Sequence, residues 1–176
     1  LTRRNAPDPS RPPPIGPHAP NSPGVTPGTR SAEATFNRLT VDSPNVALRG
    51  LTIAEGVNDG INEAAGVFLQ GGANNFTAIN NRFLRTGAPG SFRGLVNAVG
   101  TTNGNTTVQN NLFQGFATGV FLQGPTAALP TTGSRISGNA FSGNQVGISL
   151  DNPQNIQITG NGFRNQALEQ IGLLNP

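Results

Sequence analysis

The 176-residue sequence contains no cysteine, methionine, tryptophan, tyrosine or lysine, and its one histidine is His18. Without cysteine there is no disulfide framework, no thiolate metal site and no cysteine nucleophile. That absence does not fix the compartment, because exported proteins also do without disulfides. No apolar run approaches the ~20 residues that cross a bilayer as a helix, so no membrane insertion is expected. Charge is sparse as well. Eleven arginines face eight carboxylates, and the surplus sits at one end: residues 1–31 hold Arg3, Arg4, Arg11 and Arg30 against Asp8, while the rest of the chain balances. No basic cluster is interleaved with aromatics, which argues against a nucleic-acid partner.

What the sequence does have is glycine (24) and proline (15). Most of the prolines lie in residues 1–31, where each removes a backbone donor and fixes φ, so neither a helix nor a central strand forms there. This stretch reads as an extended arm, partly polyproline II, either solvated or docked on a neighbouring subunit. His18 lies within it and reads as solvated. The sequence opens on Leu1 rather than methionine, and we expect a processed, exported protein, secreted or at the cell surface.

From residue 32 the texture changes to short apolar alternations broken by Asn and Gly, giving a second domain over 32–176. One six-residue phrase recurs: Leu48–Ile53, Ala78–Phe83, Val108–Phe113, Ile136–Phe141 and Ile158–Phe163. Its fourth position holds Leu51, Asn81, Asn111, Asn139 and Asn161, with spacings of 30, 30, 28 and 22 residues. A second phrase follows each first one: Gly66-Val-Phe-Leu69, Gly94-Leu-Val-Asn97, Gly119-Val-Phe-Leu122, Gly147-Ile-Ser-Leu150 and Gly172-Leu-Leu-Asn175. Two short strands per period, joined by turns of varying length, suit a β-solenoid and not a helical one.

These phrases, "Ile-x-Gly-Asn-x-Phe … Gly-Ile-x-Leu", resemble the repeats of the right-handed parallel β-helix family, also called pectin-lyase-like, over roughly Asn45 to Pro176. The resemblance implies an all-β solenoid of about five coils behind the Pro-rich arm. Stacking coils about 4.8 Å apart pairs each strand with its counterparts above and below. Position six then forms an interior column of Ile53, Phe83, Phe113, Phe141 and Phe163. Asn81, Asn111, Asn139 and Asn161 are expected at a bend, tolerating left-handed backbone and forming a structural ladder of stacked amides. In the back stretch, residues 164–176, one helical turn is expected ahead of the last strand.

A fold of this kind hosts many activities, so function has to come from side chains. The resemblance would bring clustered aspartates for calcium in a lyase, or close aspartates with a Gly-His-Gly motif in a hydrolase. Residues 32–176 contain neither histidine nor an Asp-x-Asp pattern. The densest acids are Glu55, Asp59 and Glu63, read as solvated loop charges. Asp151 reads as a surface ion pair with Arg135 or Arg164. The Thr pairs fall in turns, so no ice-binding array is expected. Asn75-Phe-Thr77 and Asn105-Thr-Thr107 match a glycosylation pattern that also arises by chance. No catalytic residue, metal or cofactor is expected.

One stripe points to a partner. Alternation in the second phrase turns Phe68, Val96, Phe121, Ser149 and Leu174 outward, and a contiguous apolar row marks an interface. The leading expectation is therefore a non-enzymatic structural protein that self-assembles into a filament, fibre or surface layer, with Phe68, Val96, Phe121 and Leu174 in contact and the arm locking neighbours. The alternative is a carbohydrate-binding or polysaccharide-degrading module, for example part of a phage spike. It would draw on Arg93, Arg135 and Asp151 near the acidic turn, with glycans as partners.

Overall fold

The computed structural model describes residues 35–54, 64–87, 90–98, 101, 103–124 and 131–175. The arm at 1–31, with His18, and the acidic turn with Glu55, Asp59 and Glu63 lie outside them.

The chain enters through β1 (Thr35–Phe36) and β2 (Leu39–Val41), then winds through five coils of three strands. These are β3 (Ala47–Arg49), β4 (Thr52–Ala54) and β5 (Ala65–Leu69); β6 (Thr77–Ile79), β7 (Arg82–Leu84) and β8 (Arg93–Asn97); β9 (Thr107–Gln109), β10 (Leu112–Gln114) and β11 (Thr118–Gln123). A short β12 (Thr131–Thr132) precedes β13 (Arg135–Ser137), β14 (Ala140–Ser142) and β15 (Val146–Asp151). Then come β16 (Pro153–Gln154), paired with β12, and the last coil: β17 (Gln157–Thr159), β18 (Gly162–Arg164) and β19 (Glu169–Leu174). Equivalent strands pair in parallel into three sheets, two of six strands and one of five. The architecture is an all-β parallel solenoid, as the repeat implied. No helix occurs among the described residues. The helical turn expected near the end is replaced by turns and the strand β19, whose partners in β15 hold it extended.

Each period carries three strands rather than the two read from the phrases, because the first phrase is broken at its third position. There Gly50, Asn80, Asn110, Gly138 and Gly160 all have positive φ, between 54° and 67°. Only Gly, and Asn at modest cost, visits this region routinely, so the alternation of Gly and Asn at this column follows from the corner it forms. The left-handed residue is thus the third and not the fourth of the phrase; the fourth turns its side chain inside.

Inside, side chains repeat in register. Phe36, Ile53, Phe83, Phe113, Phe141 and Phe163 are paired in sequence down one sheet. The rings of Phe83, Phe113, Phe141 and Phe163 stack at centroid distances of 4.3, 5.1 and 5.1 Å, with interplanar angles of 14° or less. A second sheet contributes Leu39, Val67, Leu95, Val120, Ile148 and Ile171. Leu48, Ala78, Val108, Ile136 and Ile158 line the third. Between their exposed end members Phe36 and Ile171, these columns form one continuous core, which supplies the burial no single coil achieves alone.

Candidate interaction surface at the last coil

The fourth-position asparagines bind the coils together. Asn81 Nδ2 donates to Asn111 Oδ1 at 3.0 Å, Asn111 Nδ2 to Asn139 Oδ1 at 3.0 Å, and Asn139 Nδ2 to Asn161 Oδ1 at 3.0 Å. Each Oδ1 also accepts the backbone N–H of the preceding coil's fourth residue, beginning with Leu51 N–H to Asn81 Oδ1 at 3.0 Å. Each Nδ2 further donates to a carbonyl of the preceding coil: Leu48, Ala78, Val108 and Ile136. Both amide donors and the amide oxygen of Asn81, Asn111 and Asn139 are thereby engaged, which is the condition for keeping such groups inside.

A second ladder runs outside. Asn75 Nδ2 donates to Asn45 Oδ1 at 3.0 Å and Asn105 Nδ2 to Asn75 Oδ1 at 3.1 Å, all three residues having left-handed backbone. It stops at Gly133, where a β-carbon would run into Asn105 Oδ1. The signal for it was the spacing of Asn45, Asn75 and Asn105, the same 30 residues as the first ladder, which sequence reasoning used only for the interior set. The nitrogens that a sugar would take in the two glycosylation-like motifs are the donors of this ladder.

The outward stripe has a different composition from the one read in the sequence. Pairing places Thr40, Phe68, Val96, Phe121, Ser149 and Gly172 in one outward column. Leu174 pairs with Asp151 instead, because Ile171 is the partner of Ile148; the expected fifth phrase is shifted by two residues. Phe68 and Val96 form a small buried cluster with Ala65, and the half-buried Phe121 and Ala98 pack against it. Arg38 lies 5.5 Å from the Phe68 ring centre and Arg93 4.6 Å from that of Phe121, favourable placements for a guanidinium on an aromatic face. The upper stripe is thus covered within the single chain.

Exposed apolar surface collects at the other end. Leu168, Ile171, Leu173 and Leu174 are 73%, 41%, 54% and 49% exposed. Ile171 and Leu173 belong to the interior columns of Ile148 and Leu150, and stand open because β19 is the last strand of its sheet. On the outer side, small residues Ser149 and Gly172 leave a shallow groove that Val146, Leu168 and Leu174 flank. The edges of β17, β18 and β19 complete this end. Free strand edges beside apolar side chains are a template for pairing with further backbone.

The charged candidates do not converge. Arg93 is engaged with Phe121, and Arg135 is exposed on another sheet. Asp151 accepts hydrogen bonds from Asn175 Nδ2 at 2.8 Å and Asn152 Nδ2 at 3.2 Å; these amides, carried by the turns beside it, take the place expected for an arginine.

The stacked sheets, interior amide ladder and aromatic column define a parallel β-helix of the pectin-lyase-like class. Within that class, a family model described as "Periplasmic copper-binding protein (NosD)" matches residues 39–171. The chain belongs to this family. The family's periplasmic description agrees with the exported setting expected from the sequence. No curated protein and no solved structure matches the chain. The family description names copper, whose protein sites are built from imidazole, thiolate and thioether ligands. Here the sequence supplies no cysteine, no methionine and one histidine, and no group of three or more His, Cys, Asp or Glu side chains gathers among the described residues. The described residues do not fit a copper site, and copper takes no part in the reading that follows.

Proposed function

We propose that this chain is a non-enzymatic, exported structural β-helix that works by self-association through its last coil. The observation that carries this reading is the concentration of exposed Leu168, Ile171, Leu173 and Leu174 beside the strand edges of the last coil, where among the described residues the opposite end exposes only Phe36 of the large hydrophobics, at 36%. A contiguous apolar patch of this kind marks an interaction site. The interior ladder gives the body the rigidity a building unit needs. The Pro-rich arm serves as a tether between neighbours in this reading.

Among the described residues Arg93, Arg135 and Asp151 do not converge on one site, so these three do not support the carbohydrate alternative. Sedimentation velocity over a hundredfold concentration range tests the proposal. Association that grows with concentration and is abolished by Leu168→Asp with Leu174→Asp supports it. A wild-type chain that stays monomeric throughout, or a double variant that associates equally well, refutes it.

A further inference from the structure

In the third strand of each inner coil one glycine occupies the same column: Gly66, Gly94, Gly119 and Gly147, each just before the paired Val67, Leu95, Val120 and Ile148. The column exists because the next coil needs the space. A β-carbon on Gly94 would lie 2.5 Å from the Gly119 carbonyl oxygen and 2.7 Å from the Phe113 ring. On Gly119 it would lie 2.7 Å from both the Gly147 oxygen and the Phe141 ring, and on Gly147 2.6 Å from both the Gln170 oxygen and the Phe163 ring. A β-carbon on Gly66 would lie 2.9 Å from the Gly94 oxygen, with the Phe83 ring at an ordinary 3.6 Å. Where a ring of the following coil stands against the column, as at Gly94, Gly119 and Gly147, such approaches are too close for a β-carbon, and the opposing atoms are backbone and a packed ring that cannot swing aside.

The fifth coil breaks the column. Val146 pairs with Glu169 and Ile148 with Ile171, so the residue standing where Gly147 stands one coil earlier is Gln170. Another coil in the same register would bring its carbonyl and its ring-column side chain onto the Gln170 β-carbon. A second copy stacked head to tail presents Phe36 in that column, since Phe36 pairs with Ile53 and Ile53 with Phe83. Arg38 holds the glycine position ahead of Gly66, but there the following coil offers Ile53 in place of a ring.

We infer that Gln170 is a built-in stop. It leaves the apolar end able to meet a second copy of the chain, but not in the head-to-tail register that would propagate a filament. Association through this end therefore closes tail against tail, since an isologous contact is self-limiting and a heterologous one is not. This consequence rests on the self-association proposed above; the steric stop itself does not.

Electron microscopy and sedimentation of the wild type, Gln170→Ala and Gln170→Gly test it. The β-carbon is the obstacle, so Gln170→Ala is expected to stay finite like the wild type, and Gln170→Gly to grow into filaments whose axial repeat is one stacked chain. Wild-type filaments of that repeat, filaments from Gln170→Ala, or a Gln170→Gly distribution identical to wild type would each overturn the stop. A monomeric wild type whose Gln170→Gly variant elongates keeps the stop and removes the self-association reading; wild-type pairs with an inert Gln170→Gly variant do the reverse. Should Gln170→Gly melt early, Gly147→Ala decides. It is expected to detach the fifth coil, seen as amide exchange over β17–β19 faster than in the wild type at the same concentration, and exchange no faster than the wild type's contradicts the inference.

Discussion

The third and fifth coils are written in nearly the same phrase, Val-Gln-Asn-Asn-Leu-Phe and Ile-Thr-Gly-Asn-Gly-Phe, yet they differ in every measure of burial. Phe113 and Val120 are sealed, whereas Phe163 is partly exposed and Ile171 open. The third coil lies between two others; the fifth has a neighbour on one side only. A solenoid residue is therefore stabilised less by its own coil than by the coil that covers it. The same phrase can build a core at one height and a contact surface at another.

Substitutions at matched positions break this comparison, beginning with the largest effect. Phe113→Ala removes a ring stacked on both faces and should cost about 3–5 kcal/mol, whereas Phe163→Ala, stacked on one face, should cost about half as much; thermal or urea unfolding of both variants checks the ratio. Asn111→Ala strands the Asn81 amide donors and leaves the Ala78 carbonyl without its partner, which should cost roughly 2–4 kcal/mol in the same assay. Asn161→Ala is expected to cost less, because Asn161 is partly exposed and water can reach the Asn139 donors it leaves. Gly119→Ala forces a β-carbon onto the Gly147 carbonyl and the Phe141 ring and should lower stability by about 1–3 kcal/mol. At the small end, Asn75→Ala in the exterior ladder should change unfolding by less than about 1 kcal/mol, since water replaces its exposed bonds.

The repeat made the fold legible: five phrases at 22 to 30-residue spacing fixed which residues share a column through the fourth coil. It was less legible where the physics changes. Matching the fifth phrase on its glycine placed Gly172 under Gly147, but the last coil has no ring to make room for. Glycine is not required there, so Gln170 takes the position and Gly172 falls opposite Ser149. The outward turn of Phe68 and Val96 was readable from alternation. Their burial was not, because alternation gives a side chain's direction and says nothing of what lies over it. Sequence spacing marked Asn45, Asn75 and Asn105 no less clearly than Asn81, Asn111 and Asn139, but which set turns inward depends on which residue takes the left-handed corner. The exposed end, which carries the functional proposal, is a property of height in the stack and has no signature in any single phrase.

Amide hydrogen exchange followed strand by strand, in dilute and concentrated solution, tests the central claim most directly. It separates the coils by how far each is covered. The account predicts that β9–β11 exchange only through global unfolding at both concentrations, while β17–β19 exchange fast when dilute and become protected when concentrated. Equal protection of the third and fifth coils in dilute solution, or a last coil indifferent to concentration, would contradict it.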